Sequence, residues 1–198
     1  MQKRELAPGI VVYSDVIKDY EELIKDIEEG AQSAGITWVP SSVKKEEGIE
    51  VDTEYRDTMT MTVNYQDSIV EDFSNAYDAF NLNLSNMFLS SFGPLELDYK
   101  AHYQLETKSH EQYSILKYGK GQKFVNHIDD HKDYNRKMSL VYYINDEYTG
   151  GEIVFPRFGI TYKPASNELI IFPSIFVYNH SVLPVIEGTR YAVVSWLS

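Results

Sequence analysis

The chain has 198 residues, 43% hydrophobic and 24% charged, which suits one globular domain with a buried core. Its formal net charge of -12 repels phosphate backbones and disfavours nucleic acid as a partner. The absence of cysteine excludes disulfides, thiolate metal sites and a cysteine nucleophile. The N-terminus has no apolar leader segment, and no stretch approaches the ~18 apolar residues that span a bilayer, so we expect a cytoplasmic protein without a membrane partner.

The first predicted elements are an apolar strand and a helix. The strand is Gly9–Tyr13, and Ser14 follows it as a residue type that commonly caps helices. Gly30 or Gly35 ends the helix, because glycine readily adopts the left-handed conformation found after many helices. The apolar residues at helical spacing are Val16, Ile17, Tyr20, Leu23, Ile24 and Ile27.

A polar loop leads to a second strand and a second helix. The loop covers residues 40–57, and the alternation in Thr58–Val63 predicts the strand. Ser68 and Glu71 have the spacing of a capping box, which predicts that the second helix begins there. Its apolar face comprises Ile69, Phe73, Ala76, Tyr77, Phe80, Leu84, Met87 and Phe88. We interpret both helices as scaffold.

The second half consists of short strands separated by turns. They are predicted at Gln112–Tyr118, Lys123–His127, Lys137–Asn145, Glu152–Phe155, Ile160–Tyr162, Glu168–Phe172 and Arg190–Leu197. Such a series is typical of an antiparallel sandwich or barrel. We therefore predict an α+β fold in one domain, 1–198. A helix-rich support at 1–109 would flank a jelly-roll (double-stranded β-helix) core at 110–198.

Candidate metal ligands lie in this second half. His127 and Asp129 form an H-x-D motif on a predicted strand, where side chains two residues apart share a face. This pair alone is weak evidence, but His180, in a turn-like stretch before the last strand, adds a second imidazole. Two imidazoles and one carboxylate form the facial triad of non-haem Fe(II) oxygenases. Zinc also accepts these ligands, although catalytic zinc usually leaves one position open rather than three.

Arg190 begins the last strand ten residues after His180. It shares a strand face with Ala192, Val194 and Trp196. A guanidinium on an inward face needs an anion, because an unpaired buried charge is costly. A structural acid is the common partner, but the nearby candidate metal ligand favours a carboxylate of a bound ligand.

These residues belong to a longer ordered pattern. The run Tyr118-x-x-Gly121-x-x-Phe124-x-x-His127-x-Asp129 resembles the metal-binding segment of the prolyl 4-hydroxylase-like family of Fe(II)/2-oxoglutarate dioxygenases. Further matches follow in order: Arg136-x-x-Ser139-x-x-x-Tyr143-Ile144-Asn145, Gly150-Gly151-Glu152-x-x-Phe155-Pro156, Phe172-Pro173-Ser174, His180, Gly188-Thr189-Arg190-Tyr191 and Trp196. The resemblance covers about residues 110–198.

The resemblance implies the cofactors and their binding residues. Fe(II) would be held by His127, Asp129 and His180. The co-substrate 2-oxoglutarate would bind Arg190 through its C5 carboxylate, in a pocket completed by Tyr143, Tyr118 and Trp196. The third reactant would be O2, with ascorbate as an optional reductant.

The resemblance also implies substrate contacts at Arg136 and Phe124. Phe124 stands where the family commonly has a tyrosine, and Arg190 stands where collagen-type members carry lysine. Because of these two departures, the resemblance does not identify the substrate. The walls of its site are expected at residues 40–57 and 130–136. We interpret His131 as a surface residue in a loop, because the residues around it are polar.

The implied activity is hydroxylation of a C–H bond with formation of succinate and CO2, with a peptidyl proline as the first expectation. A peptide or protein substrate is expected before a small molecule. The alternatives are the same chemistry on a small molecule or free amino acid, and a non-catalytic cupin-like binding module. A nucleobase substrate is disfavoured by the negative charge.

Overall fold

The computed structural model describes residues 2–45, 48–63, 75–131 and 133–198, which contain two α-helices and sixteen strands. The helices are α1 (Leu23–Ser33) and α2 (Ala76–Tyr103). The strands are β1 (Gln2–Ala7), β2 (Ile10–Ser14), β3 (Val39–Pro40), β4 (Val43–Lys45), β5 (Gly48–Glu50), β6 (Met59–Val63), β7 (Tyr113–Tyr118), β8 (Phe124–His127), β9 (Met138–Tyr143), β10 (Thr149–Gly150), β11 (Ile153–Phe155), β12 (Ile160–Tyr162), β13 (Glu168–Pro173), β14 (His180–Val182), β15 (Val185–Glu187) and β16 (Arg190–Leu197). Three 3-10 turns cover Tyr20–Glu22, Pro156–Phe158 and Phe176–Tyr178.

Two antiparallel sheets form the jelly-roll core. The larger sheet has the order β1-β2-β13-β9-β16-β7-β6-β3, and the smaller has the order β12-β11-β14-β8. Two further sheets have two strands each, β10 with β15 and β4 with β5. The α+β jelly-roll prediction is confirmed. Strands from both sides of residue 110 build the larger sheet, and the division of the chain there stays a prediction.

Alternation along β16 separates two buried layers. Tyr191, Val193 and Leu197 belong to the layer that packs against the helices. Ala192 and Val194 belong to the layer that faces the smaller sheet. Because successive side chains of a strand point to opposite faces, Arg190 projects into this second layer, between the sheets.

Helix α2 covers the other face of the larger sheet. Its buried residues recur every three or four positions, and Phe88 and Phe92 pack on the rings of Tyr113 and Tyr142 at centroid distances of 5.2 Å. Tyr77, predicted to lie on this apolar face, is 43% exposed. Within the ranges that the structure describes, no helix combines the length and apolarity needed to cross a bilayer.

The starts of both helices differ from the prediction. Ser14 lies in β2 and α1 begins at Leu23, because Asp15 and Asp19 adopt positive φ angles of 57° and 55°, which a right-handed helix does not accommodate. Of the two glycines predicted to end α1, Gly35 is the one that follows the helix, and its φ of 69° is in the left-handed region. The predicted start of α2 lies outside the described residues, and this includes the capping box, Ser68 and Glu71, and the apolar positions Ile69 and Phe73. The described helix is capped by Asn75, whose side chain accepts a bond from the Asp78 backbone N–H.

The seven strands predicted in the second half are confirmed to within two residues at each end. The prediction of a loop at 40–57 is partly wrong, because this segment contains β4 and β5. β1 was not predicted, because its charged residues give no apolar alternation. It is an edge strand with four exposed residues, a place where charge is common.

Asn167 holds the segment that replaces the predicted helix start. Its side-chain oxygen accepts bonds from the backbone N–H groups of Val16 and Ile17 at 3.1 and 2.8 Å and from the Tyr142 hydroxyl at 2.9 Å. Its amide donates to the Ile17 carbonyl at 2.9 Å. Asn167 is buried with a φ of 61°. It therefore supplies both a strained backbone geometry and the hydrogen-bond partners of a buried loop.

Replacing Asn167 with alanine should lower the free energy of unfolding by about 3 kcal/mol, because buried donors lose their acceptor. Asn135→Ala is the matched control, since Asn135 also has a positive φ (49°) but an exposed side chain. Its loss should be about 1 kcal/mol, the backbone contribution alone. Urea denaturation measures both values, and equal losses would contradict this role of the Asn167 side chain.

Candidate active site

Two histidines meet because their strands pair. In the smaller sheet β8 and β14 are antiparallel, and His127 is directly opposite His180. Their ring centroids are 4.3 Å apart. His180 was expected in a turn, but it is the first residue of β14. The strand pairing therefore brings two imidazoles together that are 53 residues apart in the chain.

Both imidazoles direct the same nitrogen toward the centre of the site. Nδ1 of His127 donates to the Val125 carbonyl at 2.9 Å, and Nδ1 of His180 donates to the Tyr178 carbonyl at 3.1 Å. Since a carbonyl accepts only, Nδ1 carries the proton and each Nε2 keeps a free lone pair. Burial, followed by the neighbouring His127, lowers the pKa of His180 to about 4. The ring is therefore in the neutral form that binds a metal.

Asp129 completes a three-ligand group. Its carboxylate oxygens lie 3.5 Å from Nε2 of His127 and 3.8 Å from Nε2 of His180. β8 ends at His127, so Asp129 lies just beyond the predicted strand.

The three ligand atoms lie within 4.8 Å of one another, a spacing that one metal ion can bridge. Aromatic rings fix the imidazoles: Phe124 stacks on His127 at 3.5 Å, and Phe172 contacts His180 edge-on at 4.8 Å. Two nitrogens and one carboxylate suit Fe(II) and leave coordination positions for other ligands. His131 is outside this group and partly exposed in a loop, as predicted.

A buried arginine lies at the other end of the same cavity. Arg190 is 1% exposed, and its guanidinium carbon lies 4.6 Å from the Tyr118 ring centre and 4.9 Å from that of Tyr143. Tyr118 is opposite Arg190 on β7, and Tyr143 is opposite Ala192 on β9, so all these residues share one face of the larger sheet.

Arg190 has no acidic partner within the described part of the chain, and its Nε and one Nη have no acceptor there. The hydroxyls of Tyr143 and Tyr148 lie beside this guanidinium; burial raises the pKa of both groups, and the charge of Arg190 opposes that rise. Lys163 adds a second cation: its ammonium lies 2.9 Å from the Tyr148 ring centre, and burial lowers its pKa to about 8. Unpaired donors around a buried guanidinium are suited to an external carboxylate.

The cavity is continuous from the metal ligands to Arg190. It is lined by Arg56, Leu116, Tyr118, Phe124, His127, Asp129, Leu140, Val141, Tyr143, Ile153, His180, Val182, Arg190, Val194 and Trp196. A bidentate ligand with a distant carboxylate, such as 2-oxoglutarate, can therefore contact the metal and the guanidinium together.

A wider cleft of about 320 Å³ adjoins the metal ligands. It is lined by residues from both segments predicted to form a substrate site: Ser41–Lys44, Ile49, Tyr55 and Arg56 from the first and His131, Tyr134 and Arg136 from the second. That these segments bind substrate stays a prediction. The predicted substrate residue Phe124 and the predicted pocket residue Trp196 line both spaces.

Arg136 faces this cleft in a fixed position. Its guanidinium makes two bonds to Glu111, at 2.7 and 2.6 Å, and stacks on Trp196 at 3.8 Å. Its substrate role stays a prediction. Arg56 was not singled out from the sequence, since it lies in a polar loop and nothing near it in the chain marks it. Only the pairing of this loop with β8 reveals its position.

Comparisons with known proteins agree with this geometry. Residues 113–198 match the model of the 2OG-Fe(II) oxygenase superfamily. A PKHD-type hydroxylase of Prochlorococcus marinus is 36% identical over 84 residues, 39% of this chain and 37% of that protein. The prolyl 4-hydroxylase subunit alpha-1 of Rattus norvegicus is 22% identical over 96% of this chain and 34% of its own length. The chain thus spans little more than a third of these relatives.

Solved structures share the fold. A prolyl-4-hydroxylase of Pseudomonas putida superimposes with a TM-score of 0.69 at 19% identity, covering 96% of this chain and 92% of that one. A Trichoplax adhaerens prolyl hydroxylase, solved with a peptide fragment of hypoxia inducible factor, gives 0.65 at 16% identity, with coverages of 96% and 83%. The family model covers residues 113–198, which carry His127, Asp129, His180 and Arg190, and this part of the chain is therefore similar to 2OG-Fe(II) oxygenases.

Proposed function

We propose that this protein hydroxylates a proline residue within a peptide, with 2-oxoglutarate as co-substrate. His127, Asp129 and His180 hold Fe(II), and Arg190 holds the far carboxylate of 2-oxoglutarate. The observation that carries the proposal is the fully buried guanidinium of Arg190, without an acidic partner in the described chain, in one cavity with a two-histidine, one-carboxylate group.

The chain's own groups would bind, orient and shield the reactants. When bound, Fe(II) activates O2 and couples conversion of 2-oxoglutarate to succinate and CO2 with hydroxylation of a C–H bond. Tyr118 and Tyr143 enclose the guanidinium and orient it toward the cavity. Their rings also exclude water, which strengthens the pairing of Arg190 with a carboxylate. The buried hydroxyl of Tyr143 lies in the same cavity and can add a second bond to that carboxylate.

The shape of the cleft favours a peptide over a small molecule. It is open to solvent and lined by two separate parts of the chain, Ser41–Lys44 with Ile49, Tyr55 and Arg56, and His131 with Tyr134 and Arg136, and so can admit an extended chain. Tyr55, Phe124, Tyr134 and Trp196 provide apolar ring surfaces against which a pyrrolidine can pack. The names of several relatives also contain prolyl hydroxylase, which supports proline as the target.

Anaerobic mixing with Fe(II) and 2-oxoglutarate should give the weak visible charge-transfer band of chelated 2-oxoglutarate. His127→Ala should abolish the band, because two remaining ligands do not hold the ion. Arg190→Ala should require about 100-fold more 2-oxoglutarate, since it loses a charge-assisted pair worth about 3 kcal/mol. Arg157→Ala, at an exposed arginine, is the control and should match the wild type. No band in the wild type would favour zinc or a non-catalytic binding module.

Arg190→Met should raise the unfolding temperature of the metal-free protein by roughly 3 °C, because it removes an uncompensated buried charge. A purely structural arginine would give the opposite sign. Arg4→Met is the control: Arg4 pairs at 2.6 Å with Glu168, whose side chain is 4% exposed, so its loss leaves a buried carboxylate and should lower the unfolding temperature. A decrease for both variants, measured by calorimetry, would contradict the proposed role of Arg190.

With Fe(II), 2-oxoglutarate and O2, some proline-containing peptides should gain the mass of one oxygen atom, with an equal amount of succinate. A pool of short peptides that vary around one proline is the substrate, and mass spectrometry with fragmentation locates the hydroxyl. His180→Ala should form neither product. Succinate formation stimulated by free amino acids but by no peptide would overturn the peptide substrate and leave the oxygenase chemistry intact.

A further inference from the structure

Arg56 reaches the metal site from the first half of the chain. It forms an antiparallel bridge with Phe124, and two backbone bonds between Asp57 and Lys123, 2.9 and 3.1 Å long, fix this pairing. The guanidinium carbon of Arg56 lies 4.9 Å from the Phe124 ring centre, and that ring stacks on His127 at 3.5 Å. One aromatic ring therefore separates Arg56 from a metal ligand.

The guanidinium of Arg56 has few partners of its own. Its Nη1 makes one long bond, 3.4 Å, to the Ser42 carbonyl. Its Nε is buried without an acceptor, and no acid among the described residues pairs with it. Arg56 lines both the metal cavity and the open cleft, so its free donors are available to a molecule bound there.

The other two cations of the cleft are already neutralised. Lys44 pairs with Asp133, and Arg136 pairs with Glu111. Of the described residues that line the cleft, the one acid is Asp129, whose carboxylate faces His127 and His180.

This unpaired charge is unusual in so acidic a chain. With 30 acidic residues against 18 lysines and arginines, a carboxylate partner could come from many positions. A half-buried guanidinium without an anion costs free energy that a bound anion would recover. The fork of an arginine matches a carboxylate in a bidentate pair.

We infer that Arg56 selects substrates with a carboxylate close to the hydroxylated atom, which means peptides with Asp or Glu beside the target proline. This inference rests on the proposed function. An extended peptide advances about 3.3 Å per residue, so the short distance across Phe124 places the acidic residue within about two positions of the proline. The aromatic walls receive the pyrrolidine, and the guanidinium receives the acid.

The test uses paired peptides that carry Asp or Asn at each of the two positions on either side of one proline. Asp and Asn differ in charge but hardly in shape. The wild-type protein should show a kcat/KM for one Asp peptide roughly 10- to 100-fold above that for its Asn partner. The ratio should fall as ionic strength rises, because salt screens exposed charges. In Arg56→Gln the ratio should fall to near one.

A charge exchange distinguishes recognition from a general defect. Arg56→Glu should reverse the preference toward a Lys peptide at the same position, and a loss of stability cannot produce such a reversal. Arg157→Gln, at an exposed arginine outside the cleft, should keep the wild-type ratio. Thermal melting of each variant checks that it is folded.

The outcomes separate the two proposals. Hydroxylation of proline peptides with no Asp preference, or with a preference that Arg56→Gln retains, would overturn the role of Arg56 and leave the proposed function standing. Hydroxylation of no peptide would overturn the peptide substrate itself, and the role of Arg56 with it.

Discussion

The burial of Arg190 without an acidic partner in the described chain is the constraint on which the rest of the site depends. A charge removed from water costs several kcal/mol unless an anion compensates it. The fold meets this cost in part with the ring faces of Tyr118 and Tyr143, which attract a cation. In the proposed function, the remaining compensation comes from the carboxylate of a bound ligand. Because alternation along β16 points Arg190 between the sheets, that ligand must enter the cavity that also contains the metal ligands.

The two sheets divide the chemical roles between them. The smaller sheet carries His127 and His180 on paired strands, and the larger sheet carries Arg190. The distance between the metal ligands and the guanidinium therefore depends on how the sheets pack, through a layer that contains Phe155 and Phe172. Close packing of such rings allows little movement of one sheet against the other.

Sequence reasoning recovered the parts of this design that have local signals. The strands of the second half alternate clearly, and the ordered motifs located His127, Asp129, His180 and Arg190. It failed where tertiary contacts override local preference. The segment in which α1 was expected to start is not helical. The side chain of Asn167, about 150 residues away in the chain, instead forms hydrogen bonds with the backbone of Ile17. The residues around Ser14 in the sequence give no signal from which that contact could be predicted.

The same distinction explains why the sequence predicts the type of reaction more readily than the substrate. The reactive groups lie within residues 113–198, where motifs have fixed spacing and the family model matches. The cleft is also lined by Ser41–Lys44, Ile49, Tyr55 and Arg56, from a polar segment that backbone bonds connect to the start of β8. The three metal ligands and Arg190 lie outside this segment. The role inferred for Arg56 therefore assigns substrate preference to a different part of the chain from the metal ligands, with Phe124 as the contact between the two parts.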